Sequence, residues 1–299
     1  MPVWLFITLL CILFISCEED MNISLSGDAI KRLVVEGSIT TDTTSHKVVL
    51  SYSGDYLSST IPEMATGAEV SISSGIDTFY LTEIPAGSGI YLTDPDVYGL
   101  PDKTYTLNIR LSDGQEYSAS DYLYPCTKID SITQSANYYS FDYYSYTPSY
   151  GYDVNFYANE PEPLGNCYLF LLYLNDTLYS DTITQVHFEN DDYVNGNYIS
   201  DLVAYRIFEK DISDSVYAEP ELYEIYPDSV YVTLELHSTS RGFYDFMYRL
   251  MLETAWKGSP FDGPPANIPS NVSNDGLGFF RASDVRRTSR YFYASPRVN

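Results

Sequence analysis

The sequence predicts a mostly β protein: a β-sandwich over residues 31–124, then a second β-rich domain over 125–299 that carries one amphipathic helix near 240–257. Three observations predict it. From Lys31 onward, short runs of β-branched and aromatic residues recur at about 8–12-residue spacing, separated by Gly, Pro, Asn and Asp. Within those runs apolar residues alternate, the period of a strand with one buried face. The period lengthens to that of a helix only at "SRGFYDFMYRLMLETAWKG", residues 240–258.

In order, "RLVVEGSI" and "HKVVLSYS" are β-branched strands, and "ATGAEVSIS" puts Ala68, Val70 and Ile72 on one face. "DTFYLTEI" follows, then the turn residues "PAGSG", then "IYLTDP". "VYGLPDK" leads into "TYTLNIRL", where Tyr105, Leu107 and Ile109 alternate. "SDGQ" reads as a hairpin turn in which Asp113-Gly114 supplies the positive φ of type I′ geometry, and "EYSASDYL" closes the set. The Cys–Trp–Cys pattern of antibody domains is missing, so the first unit is Ig-like or transthyretin-like in architecture alone.

"YPCTKIDSITQ" marks the boundary near Pro125. Beyond it, "YDVNFY" alternates Tyr152, Val154 and Phe156, and "CYLFLLYL" alternates Tyr168, Phe170, Leu172 and Leu174. "TQVHFEN" and "NYISDLVAYRIFEK" add strands, and "SVYVTLELHS" lines up Val230, Val232, Leu234 and Leu236. The helix places Phe243, Phe246, Met247, Leu250 and Met251 on one stripe, expected to pack on the sheet, with Gly258 and Pro260 to stop it. The tail "GLGFFRASDVRRTSRYFYASPRVN" ends in strands. It also holds Arg281, Arg286, Arg287, Arg290 and Arg297, five of the sixteen basic residues. Local pairing with the acidic surplus is the expectation for them, with a docking patch for an acidic partner as the alternative.

Charge excludes some functions. A net charge of −25 argues against nucleic acid or anionic lipid as partners, because phosphate binding needs Lys and Arg. His46, His187 and His237 have no ligand-type spacing, so no metal site is expected, and no cofactor motif is present. "ENDDYVNGNYISD" clusters Asp191, Asp192, Asn195 and Asn197 near Gly196, but Leu202 stands where a calcium loop needs Glu. It reads as a polar turn, as does "TDPDVYGLPD". No G-x-S-x-G elbow occurs, and nothing selects a catalytic pair among 41 acidic residues, so the chain is expected not to be an enzyme. With Cys11 and Cys17 set aside, Cys126 and Cys167 remain as a candidate disulfide.

The tyrosines are the remaining chemistry. "NYYSFDYYSYTPSY" has aromatics at both parities and cannot bury them all in one sheet face. Tyr138, Tyr139, Tyr143, Tyr144, Tyr146 and Tyr150 are therefore candidates for a partly exposed aromatic hairpin or loop. It would be a ligand platform or a partner interface, since a flat apolar ring with a polar tip suits both sugars and proteins. A loop packed on its own domain gives the same pattern.

The N-terminus speaks to address. Pro2–Ser16 holds no charge and is too short for a comfortable bilayer span, so residues 1–16 read as a signal peptide. "FISC" then resembles the lipobox of bacterial lipoproteins, although no basic residue precedes the run and Phe14 replaces the usual Leu. The resemblance implies that Cys17 is acylated and becomes the first mature residue, with residues 17–30 a lipidated tether. Several acyl chains anchor stably where one would not. Glu18, Glu19 and Asp20 look like the signal that exports Bacteroidota lipoproteins to the outer face of the outer membrane.

Taken together, "CEED", "RLVVEGSIT", "GAEVSIS", "GLPDKTYTLNI", "KIDSI", "NEPEPLGNCYLFLL" and "IPSNVSNDGLGFF" resemble an uncharacterised family of Bacteroidota surface lipoproteins, a domain of unknown function encoded beside SusC/SusD-like importers. The resemblance covers nearly the whole chain, and "SNVSNDGLGFF" is its most specific part. It implies no catalytic residues. It implies an accessory role at a TonB-dependent SusC/SusD-like complex that imports peptide or glycan, with a peptide or oligosaccharide as candidate ligand and the membrane reached through the N-terminal lipid. A surface hydrolase feeding the importer, or a purely structural or adhesive lipoprotein, are the alternatives.

Overall fold

The structure, a computed structural model, describes residues 31–54, 61–139, 149–208, 229–255 and 268–293. The alternating runs of the first unit form β1 (Leu33–Thr40), β2 (Lys47–Tyr52), β3 (Glu69–Ser73), β4 (Thr78–Glu83), β5 (Ile90–Leu92), β6 (Lys103–Arg110) and β7 (Glu116–Leu123). Period-two patterning decides their faces: Val35, Leu50, Val70, Ile72, Tyr105, Leu107 and Ile109 are all buried in one core. Burial of each such side chain contributes about 1.5–3 kcal/mol.

These strands lie in one eight-stranded sheet whose outermost member comes from the far end of the chain. The order is β15–β1–β2–β5–β4–β3–β6–β7, with β15 (Leu277–Ser283) parallel to β1 from Val34↔Leu277 to Thr40↔Ser283. The boundary expected near Pro125 is therefore crossed again: Val272, Phe280 and Ala282 belong to the first core. The sheet curls until its two edges meet. Ala119 of β7 bridges Val272, and the Ala282 N–H donates to Asp121 Oδ2 at 3.0 Å. The Asn271 amide sits between the edges. Its Nδ2 donates to Ser120 O (3.1 Å) and Phe280 O (2.8 Å), and its Oδ1 accepts from Phe280 N (3.0 Å). One side chain thus stands in for a strand.

"SNVSNDGLGFF" is the segment that makes this closure, and its composition follows from geometry. Asn274 and Asp275 have φ of 54° and 57°, and Gly276 N donates to Ser273 O at 3.1 Å. That is a type I′ turn, whose left-handed positions Asn and Asp tolerate best among non-glycine residues. Gly278 has φ +89°, and a Cβ there would stand 2.0 Å from Val35 O, so β15 can approach β1 only without a side chain. The "SDGQ" turn differs from the expected type I′. Only Gly114 has positive φ, Gly114 N donates to Leu111 O, and Leu111 N donates to Gln115 O. The loop has three residues and closes with a left-handed glycine.

The second unit is a two-layer sandwich. One sheet has the order β13 (Tyr198–Phe208), β9 (Ser149–Asn159), β8 (Ile129–Tyr139). The other runs β11 (Thr177–Leu178), β10 (Cys167–Leu174), β14 (Ser229–Thr239), β16 (Val285–Tyr293), with β12 (His187–Asn190) also on β10. Val154 and Phe156 from one layer meet Phe170, Leu172, Val232, Leu234 and Leu236 from the other. Phe156 and Phe170 pack edge to face at 5.5 Å. A helix, α1 (Arg241–Ala255), covers part of the opposite face of the second sheet, where Tyr244 packs edge to face on Phe188 of β12 at 5.7 Å. Ser240 caps it, its Oγ accepting from Phe243 N at 3.2 Å. Phe243 and Phe246 pack on Phe279, each 5.4 Å away. Met247 is the one stripe residue that is buried, and Tyr248 and Leu252 stay exposed.

The disulfide expected between Cys126 and Cys167 is not formed; both are free, buried thiols. Cys126 lies in the sandwich core with Leu236, its thiol directed to Leu236 O at 3.5 Å. Cys167 pairs with Thr239 and, by alternation from Tyr168, faces the other side of the sheet. A sheet separates the two sulfurs.

Candidate functional site

Of the residues singled out from sequence, Cys17, Glu18, Glu19 and Asp20 lie outside the described residues, as do Tyr143, Tyr144 and Tyr146. Tyr138, Tyr139 and Tyr150 fall in the β8–β9 hairpin by their backbones, Tyr138 pairing with Tyr150 and Tyr139 with Ser149. Tyr152 and Phe156 are buried, Phe156 in the sandwich core. Asp191 anchors a turn: its carboxylate accepts twice from Gly165 N at 3.0 Å, and its carbonyl accepts from Val194 N and Asn195 N. Among the described residues, no group of three or more His, Cys, Asp or Glu is placed to hold a metal ion. The histidines are tied elsewhere. His46 Nε2 meets Val97 O at 3.2 Å, and His187 stacks on Tyr205 at 4.4 Å.

The basic tail builds the seam between the units. Asp284, buried between β15 and β16, is the point where the chain passes from one unit to the other. Its Oδ1 accepts from Thr41 Oγ1 (2.8 Å), and its Oδ2 accepts from Cys126 N (2.9 Å) and Arg286 Nη2 (2.8 Å). Next to it, Arg287 grips Asp42 through both terminal nitrogens and donates from Nε to Glu235 Oε1. Glu235 Oε2 meets His237 Nε2 at 3.0 Å. Hydrogen bonding from Arg287 lowers Asp42 below the usual carboxylate range. Burial pushes Glu235 up, but the bonds from His237 and Arg287 outweigh it and the net shift is downward. Burial also lowers His237 and brings the Arg281 guanidinium down to about 10. Arg281 lies over the Phe243 ring at 5.1 Å. Both oxygens of Asp42 and of Glu235 accept hydrogen bonds within the seam. The arrangement clamps two units together and leaves neither carboxylate poised as a base, so the expected local pairing of tail arginines is what Arg286 and Arg287 do.

Among the described residues, a surface open to a ligand is the outer face of β4–β3–β6–β7. Inward alternation of Val70, Leu81, Leu107 and Ile109 leaves the intervening residues outside, and the register sets them side by side. Tyr80 lies opposite Ser71, Ser71 opposite Asn108, and Asn108 opposite Ser118. One step along the strands, Glu69, Arg110 and Glu116 form a second row. Arg110 Nη1 is 4.0 Å from Glu69 and its Nε 3.9 Å from Glu116, longer than hydrogen bonds. The I′ turn of the closing segment walls the far side: Ser273 Oγ accepts from Ser118 N (2.8 Å), and Asn274 Nδ2 donates to Glu116 O (2.7 Å). The result is an open groove of about 480 Å³ lined by these side chains, with the Tyr80 ring 78% exposed beside it.

The sequence reading missed this groove. The outward parity of Ser71, Asn108 and Arg110 was legible, but the pairing of β3 with β6, across two intervening strands, was not.

A family model described as Domain of unknown function (DUF4249) matches residues 18–289 and so takes in both units and the groove. The chain belongs to this family. A search of the curated proteins finds no match. The DUF4249 match covers the closing segment at 270–280 as well as the first-unit strands that it joins.

Proposed function

We propose that this DUF4249 chain is a non-enzymatic lipoprotein on the outer face of a Bacteroidota outer membrane, an accessory subunit of a SusC/SusD-like importer that captures or delivers peptide or glycan. The groove carries the reading: an open, polar, aromatic-edged surface suits holding a hydrophilic ligand. "FISCEED" supports the address, and no helix among the described residues is long and apolar enough to cross a membrane.

Two experiments test it. Tagged full-length chain purified from outer membranes should bring down a large β-barrel partner; recovery of the chain alone overturns the accessory role. Cys17→Ala should release the protein from the membrane fraction, and retention there refutes lipid anchoring. The Tyr138–Tyr150 segment is proposed as a partner contact. Replacing Tyr143, Tyr144 and Tyr146 with Ser should weaken the complex and leave the melting temperature almost unchanged.

A further inference from the structure

We infer that the β4–β3–β6–β7 groove binds an uncharged oligosaccharide, with Tyr80 as the stacking platform and Asn108, Arg110 and Asn274 as its hydrogen-bonding wall. The inference deepens the capture role and rests on it. Three features choose this ligand class.

The first is shape. Tyr80, Ser71, Asn108 and Ser118 stand in register on four adjacent strands, so at about 4.8 Å per strand the row spans roughly 14 Å. That is the reach of a short oligosaccharide laid across the strands. The exposed phenol at one end presents a flat apolar face of the kind that a sugar ring covers.

The second is donor and acceptor supply. Hydroxyl, amide, guanidinium and carboxylate groups alternate over the face. Arg110 stands 3.9–4.0 Å from its two carboxylates, which leaves its N–H groups room to reach a hydroxyl. A peptide would ask for something else. Strand addition needs an unpaired backbone edge, and along this wall β7 is already capped. Its Ser118 N, Ser118 O, Glu116 O and Ser120 O all bond to the closing segment. No apolar side-chain pocket opens in the face: of the residues that line the groove, the outward-facing ones are polar apart from Tyr80, and Tyr117, level with Ile109, packs on the core.

The third is charge. Glu69 and Glu116 flank the single Arg110 on a chain of net charge −25. That field repels uronates and sulfated glycans and leaves neutral sugars unaffected.

The test is calorimetric titration of the purified full chain with malto-, cello-, xylo- and mannohexaose, alongside polygalacturonate and a tryptic digest of casein. At least one neutral hexaose should bind at millimolar or tighter affinity. Tyr80→Ala and Asn108→Ala should each weaken it by about tenfold or more, with unchanged melting temperature because Tyr80 is exposed. Tyr291→Ala, a substitution of an exposed tyrosine in the second unit, should leave it unchanged.

Failure of every neutral hexaose to bind overturns the inference. So does saccharide binding indifferent to both groove variants, and so does peptide binding that Tyr80→Ala abolishes, which would seat a peptide there instead. Co-purification with a β-barrel reads the accessory role separately. A barrel partner without saccharide binding removes only the glycan, and saccharide binding without a barrel removes only the importer.

Discussion

Replacing Gly278 with Ala tests whether the tail strand closes the first unit as tightly as the backbone implies. The new Cβ would lie 2.0 Å from Val35 O and 2.9 Å from Val35 C, while real Cβ contacts essentially never fall below 3.0 Å. β15 must therefore withdraw from β1 by about 1 Å at this point, enough to stretch ladder hydrogen bonds beyond bonding range. Two such bonds at about 1 kcal/mol net each, together with about 1–2 kcal/mol for a non-glycine residue at φ +89°, give a loss of about 3–4 kcal/mol. For a chain of this size that is roughly a 10 °C fall in melting temperature. Gly114→Ala is the control, since Gly114 has φ +87° and nothing lies within 4 Å of the place a Cβ would take. It bears the backbone strain without the collision and should lose only about 1–2 kcal/mol. Urea unfolding followed by circular dichroism reads both. Equal losses in the two variants would refute the close β1–β15 approach.

Three further outcomes follow from the buried polar groups. Arg287→Ala should cost about 2 kcal/mol in urea unfolding, below the ~3–5 kcal/mol of a fully buried pair because Arg287 is 41% exposed; Arg110→Ala, on the solvated groove face, should cost about 0.5 kcal/mol or less. Burial lowers His46 and His237 beneath the ordinary 6.5, so below that pH the unfolded chain binds protons that the native chain does not. Stability should fall as pH drops through 6.5, and a His46→Gln/His237→Gln double variant should flatten the melting profile there. At lower pH the depressed Asp42 and Glu235 add to the loss, while Asp121 and Glu160, raised by burial, oppose it. Cys126 and Cys167 are buried free thiols, Cys167 raised by burial to about 11 and Cys126 raised further. Iodoacetamide at about pH 8, mapped by mass spectrometry, should label neither until denaturant is added, and reductant should leave the melting temperature unchanged.

Much of the fold was legible because strand patterning is local. The inward set Val70–Ile72, Tyr105–Leu107–Ile109 and Val230–Leu236 follows from alternation within single runs, and each is buried as the alternation requires. The helix followed from one change of period, and the structure starts it at a capping residue, Ser240. The type I′ assignment at Asp113-Gly114 failed because two adjoining residues do not reveal loop length; the register Arg110↔Glu116 does. The candidate disulfide failed for a related reason. Spacing says nothing about which face of a sheet a cysteine takes once its neighbours are fixed.

The amino-acid sequence by itself determined the strands, their faces, the helix at 241–255, the acidic surplus and the uncharged run at residues 2–16, because each depends on residues a few positions apart. The tertiary structure alone decided which strands are neighbours. It set β3 beside β6 to make the groove, brought β15 back to β1, and joined Arg287 to Asp42 across 245 positions of chain. Such pairings depend on how the sheet curls and where its edges close, and that is a property of the whole chain's packing, with no signature in any short stretch of it.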